Sequence, residues 1–475
     1  MRKFVIPVLL FIAVFLVSWL CQAFTLICQE YEGLFLATPD AWARAFTQPF
    51  PLSGIVSDFI VQFYRDPVYG ALFTALIVTG VFLLLRGVLS RLVPFTDALS
   101  ALGAGVLWVF LARASEPKPG VAALLIGLVV WGVYRVGRRF LGCARNDRKG
   151  ARNDSFHPER PCHPERSRGI PVAAVLVLAA AAWTVFSPAV QRTERFSRVK
   201  RDALYGVWDD LLKTVPPSVA EADGELTPFA LLALSGKGQL GDRLFSYPVY
   251  SENDLDMVDY DGPTEYYTSL LFKATLYQHL GCYNEAVHNY CQWATQLRKG
   301  TSFIVLRKLV EMYCLLGDYV LMEKYCRVLD RSLLNRAYVR HYRALAARGE
   351  ARGTEPASVR SRIPVISHDP LYNLLMLEAS GIHSESAVDR TLATLLLRGN
   401  EAQLRSGLEQ MAPSYEHIPR HFQEAMMVLG IRSGAVDESL IERYSVFQMD
   451  LQRLPEEELV KRYRNTAFLY LQYVL

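Results

Sequence analysis

A dense, regularly spaced set of cysteines is missing from this chain, whose 8 in 475 residues are an ordinary number. A disulfide framework is therefore excluded as the source of stability. An excess of one charge is also missing. Lys and Arg number 51 against 47 Asp and Glu, a net charge of +4, which leaves no electrostatic footprint for nucleic acid. Strand-like alternation is rare and no catalytic motif stands out. Long apolar runs are almost absent after residue 190.

What is present lies mostly at the front, where five apolar stretches crowd the first 190 residues: Phe4–Phe24, Val68–Leu85, Leu92–Ala112, Val121–Val133 and Ile170–Val190. About 20 apolar residues cross the hydrocarbon core of a bilayer, so membrane lipid is the first expected partner. Arg2 and Lys3 precede the first stretch, which lacks the small residues of a cleavage site before Cys21; it is expected to stay as an anchor rather than leave as a signal peptide. The third stretch holds Pro94 and Asp97, and Asp97 beside Arg91 reads as an interfacial carboxylate. Between the first two stretches, Leu52, Ile55, Val56, Phe59, Ile60 and Phe63 recur at helical spacing, an amphipathic helix that could lie on a bilayer or on the bundle.

Basic residues orient the spans. Arg2, Lys3, Arg86, Arg91 and the cluster from Arg135 to Arg152 belong inside. Residues 25–67, with only Arg44 and Arg65 against several acids, can translocate. Five spans place the C-terminal half outside the cytoplasm. Four, with the third stretch not spanning, place it inside, and Arg192, Arg195, Arg198, Lys200 and Arg201 favour that alternative.

Residues 143–169 contain Ala-Arg-Asn-Asp twice, at Ala144 and Ala151, and His-Pro-Glu-Arg twice, at His157 and His163. Cys143, His157, Cys162 and His163 do not have the spacing of a structural zinc site. The segment reads as a translated inverted DNA repeat, and its charged composition predicts an unstructured insertion.

The second half repeats itself. Gly281-Cys282-Tyr283 precedes Ala286 and Tyr290, and 36 residues after Gly281 comes Gly317-Asp318-Tyr319, followed by Met322 and Cys326. Gly281 and Gly317 are expected to end helices, with Tyr283 and Tyr319 packing under the turns and Ala286 and Tyr290 setting the approach of the next helix. The pattern resembles tetratricopeptide repeats, whose period is about 34 residues. That resemblance implies a curved stack of helix pairs whose surface takes up a protein partner. Packing on the protein's own bundle is the other reading. The four cysteines on these helices need no role beyond packing. The acids from Glu252 to Asp261 form only a fragment of a calcium loop and read as a solvated cap on the next helix. His417 and His421 are separated by Pro419, which argues against a shared metal face.

The expected fold is all-α: an N-terminal transmembrane helix bundle followed by a tetratricopeptide-like α-solenoid. Residues 1–142 hold helices 1–4 with an exported loop at 25–67; 143–169 are the insertion; 170–190 are the fifth span; 191–262 are linker and helical lead-in; 263–475 are the repeat domain. No cofactor, metal or nucleic acid is expected.

Several local patterns are familiar together: Glu30-Tyr31-Glu32-Gly33-Leu34-Phe35, Pro51-Leu52-Ser53 with Gln62-Phe63-Tyr64, the run from Pro419 to Ala425, and Arg464-Asn465-Thr466. They resemble an uncharacterised family of bacterial multi-spanning inner-membrane proteins, a domain of unknown function. The resemblance implies an architecture and an inner-membrane location, with no activity attached. The leading expectation is a non-enzymatic membrane scaffold that recruits a protein partner in the cell envelope, its C-terminal domain periplasmic. The alternative is a membrane glycosyltransferase using a lipid-linked sugar, with Glu30, Glu32 or Asp40 of the first exported loop as base. Transport finds no support in broken helix pairs or intramembrane charges.

Overall fold

A computed structural model describes residues 4–90, 92–93, 95–114, 116–149, 165–257, 263–297, 299–349, 369–379, 384–431 and 437–475; among these every regular element is helical and there is no strand. The chain divides into two units. The first comprises Met1–Ser197 with Ser302–Ile304 and Val328–Ala337, and the second comprises Arg198–Thr301, Val305–Arg327 and Tyr338–Leu475.

In the first unit, α1 (Val5–Cys21), α2 (Ala23–Glu32), α3 (Pro39–Phe46), α4 (Pro51–Val61), α5 (Pro67–Leu89), α6 (Thr96–Leu111), α7 (Lys118–Lys149), α8 (Glu165–Phe186) and the first part of α9 (Pro188–Leu204) follow in order. Local chemistry sets the starts. Asp66 accepts a hydrogen bond from the Val68 N–H at 2.9 Å, and Pro67, which has no N–H to satisfy, occupies the first helical position of α5. Leu10 and Val14 of α1, Val78 and Phe82 of α5, Ala101, Ala104 and Trp108 of α6 and Ala173 and Val177 of α8 close one buried core. Small residues let α6 and α8 approach closely: a Cβ on Gly105 would lie 3.4 Å from that of Ala180.

Among the described residues two helices are long and apolar enough to cross a membrane, Pro67–Leu89 and Lys118–Val136. The number rises to four if each of two bent pairs is one span: α1 with α2, bent by 79°, and Pro171–Phe186 with α9, bent by 51°. The third apolar stretch forms a helix of only 16 residues, or about 24 Å against a hydrocarbon core of about 30 Å. Thr96 and Asp97 shorten it, and Asp97 pairs with Arg86 at 2.7 Å across the α5–α6 turn.

Residues 25–67 are not an open loop. They carry α2, α3, α4 and a 3-10 turn at Gln62–Arg65, and the amphipathic stretch expected at Leu52–Tyr64 is α4 and that turn. The insertion is narrower than its sequence repeats suggest. α7 continues to Lys149 and α8 starts at Glu165, because extending an existing helix through Ala, Arg and Lys costs little once its first turn is made. Residues 150–164 lie outside the described residues.

In the second unit the rest of α9 leads to α10 (Trp208–Thr214), α11 (Pro217–Ala222), α12 (Thr227–Gly236), α13 (Leu240–Arg243), α14 (Asn253–Asp256), α15 (Pro263–His279), α16 (Tyr283–Gln296), α17 (Phe303–Leu316), α18 (Tyr319–Leu329) and α19 (Arg336–Arg348). After these come α20 (Pro370–Ala379), α21 (Glu385–Arg398), α22 (Glu401–Met411), α23 (Arg420–Val428), α24 (Glu438–Arg453), α25 (Glu456–Tyr463) and α26 (Ala467–Val474). The lead-in at 191–262 is no linker. Every residue of α12 from Thr227 to Ser235 is buried, because a run apolar on all sides can only form the centre of a core. Phe229 meets Phe272 of α15 edge to face at 5.3 Å.

Helix pairs recur along this unit, and Gly281 and Gly317 stand where α15 and α17 end. Their φ angles are +78° and +75°. That left-handed turn lets the Cys282 N–H reach back to the Tyr277 carbonyl at 2.8 Å, and the Asp318 N–H to that of Tyr313 at 3.0 Å. Ala286 and Tyr290 are fully buried, and so are Met322 and Cys326 one period later. The two substitutions therefore keep the buried register. Tyr283 and Tyr319 are half-buried.

Candidate functional site

Of the three acids considered for catalysis, Glu30 and Glu32 do not share a helix face. Glu30 is buried and Glu32 half-buried, both on α2, and residues two apart on a helix face different ways. Asp40 lies in the first turn of α3. Among the described residues no group of three or more His, Cys, Asp or Glu could hold a metal ion. Asp259, Asp261 and Gly262 of the calcium-loop fragment lie outside those residues. The acids before them are held by partners rather than solvated. Asp254 accepts from the Tyr250 and Ser251 N–H groups at 2.7 and 3.0 Å. Glu252 takes both arms of the Arg398 guanidinium at 2.7 and 3.1 Å.

The four familiar sequence patterns meet pairwise in space, each pair within its own unit. In the first unit Gly33 lies so close to Val61 that a Cβ there would stand 2.4 Å from its side chain. Only glycine admits that approach. Phe35, Phe59, Phe63 and Phe73 then run as a ladder of rings at 5.5, 5.6 and 5.5 Å. The pattern at Glu30–Phe35 is thus stacked on the pattern at Gln62–Tyr64. Gln62 also accepts from the Leu333 N–H at 3.4 Å, and the Gly33 carbonyl accepts from the Phe303 N–H at 2.9 Å.

In the second unit the run from Pro419 to Ala425 meets Arg464-Asn465-Thr466 through one fully buried carboxylate. Glu424 accepts from Arg420 Nε at 2.8 Å, from His421 Nδ1 at 2.8 Å and from the Ala467 N–H at 2.8 Å. A carboxylate only accepts, so the imidazole is the donor. Thr466 caps the same helix start through the Leu469 N–H. Burial alone pushes the Glu424 pKa up, but the bonds from His421, the Arg420 charge and the Ala467 N–H outweigh it and hold the pKa below the ordinary glutamate value. Neighbouring residues of the run are equally committed. Gln423 donates to the Ile418 carbonyl at 2.7 Å and accepts from the Asp437 N–H at 3.0 Å. Pro419 and Phe422 close on Gly241, where a Cβ would come within 2.5 and 2.7 Å of them. Three of the roughly four lone-pair sites of the carboxylate are taken, and the cluster fastens the last helix.

A second buried charge sits on α21. Arg390 is fully buried; its Nη2 donates to the Leu255 carbonyl and to Asp256 Oδ1 at 3.2 Å, and its guanidinium lies 5.9 Å from the Phe272 ring centre. Burial pushes the Asp256 pKa up, and Arg390 opposes it. Sequence alone could not find these clusters. Glu424 and Ala467 are 43 residues apart, and Arg390 and Asp256 are 134 apart.

The sequence model of a family of unknown function, DUF6057, matches residues 1–146 and 162–474, and the chain belongs to that family. The unmatched residues 147–161 fall inside the segment read as an inserted repeat. No curated protein and no solved structure matches the chain.

Proposed function

We propose that this is an integral membrane protein of the cell envelope. Its first unit lies in the bilayer, and its second, a tetratricopeptide-like stack of helix pairs, recruits a protein partner. The observation that carries the membrane reading is the outward face of the bundle. Only 11% of the apolar window in Lys118–Val136 is buried, and Ile126, Val129, Val130 and Val133 all face outward. In water such a band would be an aggregation surface; against lipid it carries no penalty.

The packing supports an exported C-terminal unit. Gln22 at the end of α1 donates to the Ala112 carbonyl at the end of α6 at 3.1 Å, and Arg113 lies over the Trp183 ring near the end of α8 at 5.8 Å. The three helices therefore run the same way. With the N-terminus inside, α8 ends outside, whether or not the short α6 reaches across. The basic residues that follow are partly neutralised, since Asp202 takes both Arg198 and Arg201.

Fusing two reporters after Leu475 tests the reading, one active only outside the cytoplasm and one fluorescent only inside. Activity of the first is expected. Fluorescence of the second sinks the exported placement. Release of the protein from membranes by alkaline carbonate sinks the integral one.

A further inference from the structure

Beneath the 79° bend between α1 and α2 lies a cavity whose wall mixes polar and apolar side chains. Ser18, Gln22, Thr25, Gln29, Trp108 and Glu116 contribute to it. Ser18 and Trp108 have no exposed surface, and among the described residues neither Ser18 Oγ nor Trp108 Nε1 has a hydrogen-bond partner. An indole N–H can only donate, so its partner must accept.

Three further side chains of the wall are turned the opposite way. Gln22 and Gln29 spend amide hydrogens on the Ala112 and Ala114 carbonyls at 3.1 and 2.9 Å, and their own carbonyl oxygens remain acceptors. Thr25 donates to Glu194 at 2.6 Å and keeps its lone pairs. The wall thus needs a ligand that accepts at one end and donates at the other, which is the pattern of a hydroxylic molecule. Size selects among hydroxylic ligands. About 20 Å³ is open to the centre of a water-sized sphere. A water needs roughly 10–15 Å³ by the same measure, and a polar site of that size is hydrated where an apolar one stays dry.

We infer that the cavity is a built water site. A bound water accepts from Trp108 Nε1–H, joins the Ser18 hydroxyl, and donates to the amide and hydroxyl oxygens of Gln22, Gln29 or Thr25.

X-ray-generated hydroxyl radicals arise from bound water as well as bulk water and mark the side chains beside it. The test is to label the full-length protein in detergent and read tryptophan oxidation by mass spectrometry. Trp108 is expected to react at a rate near that of Trp42, which is 43% exposed, and well above that of Trp293, which is 1% exposed. A Trp108 rate equal to that of Trp293 means a dry cavity and overturns the proposal. Ser18→Ala, a small change at a buried site, should lower Trp108 labelling severalfold and leave Trp293 unchanged. Labelling of Trp108 that survives Ser18→Ala unaltered would show that bulk solvent reaches the indole by opening of the bundle, and this also overturns it. Ser18→Cys gives the same reading should the alanine variant not accumulate.

Discussion

Along α7 of the first unit, Val129 and Val133 show two-thirds of their surface, whereas α12 of the second unit hides every residue from Thr227 to Ser235. The polar groups are distributed in reverse. In the first unit Ser18, Gln22, Gln29 and the Trp108 indole gather beneath the α1–α2 bend. In the second, buried polar groups such as Glu424 and Arg390 sit in hydrogen-bonded charge clusters within an apolar core. The contrast is the one expected of the proposed placement, with lipid around the first unit and water around the second. Where lipid is the surroundings, apolar side chains gain nothing by turning inward, and close packing of small residues with internal polar contacts holds helices together. Where water is, burial of apolar area dominates, and a buried charge must bring its partners with it.

The sharpest way to break this comparison is to remove a partner from a buried charge. Glu424→Ala strips the acceptor from Arg420, His421 and the Ala467 N–H. A loss of about 3–5 kcal/mol is expected, read as a lower denaturant midpoint by tryptophan fluorescence of the full-length protein in detergent. A change below about 1 kcal/mol would mean the last helix is held by its apolar face alone. Because the folded pKa of Glu424 lies below its ordinary value, its contribution is present at neutral pH and is lost as pH falls through that depressed value.

A charge placed on the surface separates the two solvents directly. Val129→Lys should cost about 2.5–3.5 kcal/mol of membrane insertion at the centre of a span, seen as protein lost from the carbonate-washed membrane fraction. Val320→Lys in the second unit, at a position 82% exposed, should change stability by less than about 0.5 kcal/mol. Equal behaviour of the two variants would remove the case for lipid around α7.

Asp389 offers the opposite pH sign to Glu424 within one unit. Burial pushes its pKa up to about 6, against a weaker lowering by the Tyr415 hydroxyl that donates to it. The protonated carboxyl therefore favours the native state. Its contribution is full below about pH 4 and is lost as pH rises through about 6, a swing of at most about 3 kcal/mol. Asp389→Asn keeps an acceptor for Tyr415 and cannot ionise. It should stabilise the protein at pH 8 by up to that amount and make no difference near pH 4. A gain of equal size at both values would assign it to packing instead.

Sequence reasoning read the helical class, the apolar stretches and the helix ends at Gly281 and Gly317 because each depends on neighbours within a few residues. It misjudged residues whose role depends on distant partners. The run from Gln29 to Pro67 looks like a loop because Gly33 and several acids interrupt it, yet Gly33 is there to admit Val61. Glu252 and Asp256 look solvated until Arg398 and Arg390 are brought to them by folding. Thr227–Ser235 was legible in principle, since nine residues with no polar face cannot form a linker. The polar cavity was hidden because Ser18 and Gln22 sit in or beside an apolar run and carry no periodic signal of their own.

Glycine gives the finest version of the comparison, because Gly281 of the second unit and Gly120 of the first are needed for different reasons. Gly281 needs its left-handed φ of +78°, and a Cβ there would meet nothing within 4 Å. Gly120 has no such angle, but a Cβ would lie 2.8 Å from Leu111 and 2.9 Å from Ile77. Gly281→Ala should cost about 1–2 kcal/mol through backbone strain alone, and Gly281→Asn less, since asparagine tolerates that conformation. Gly120→Ala should cost about 1–3 kcal/mol through overpacking, and Gly120→Asn more, since it adds bulk and a polar group to a full space. The order of the alanine and asparagine variants therefore inverts between the two sites, and thermal unfolding of the four proteins reads it. The same order at both would mean that close packing, and not turn geometry, places glycine throughout the chain.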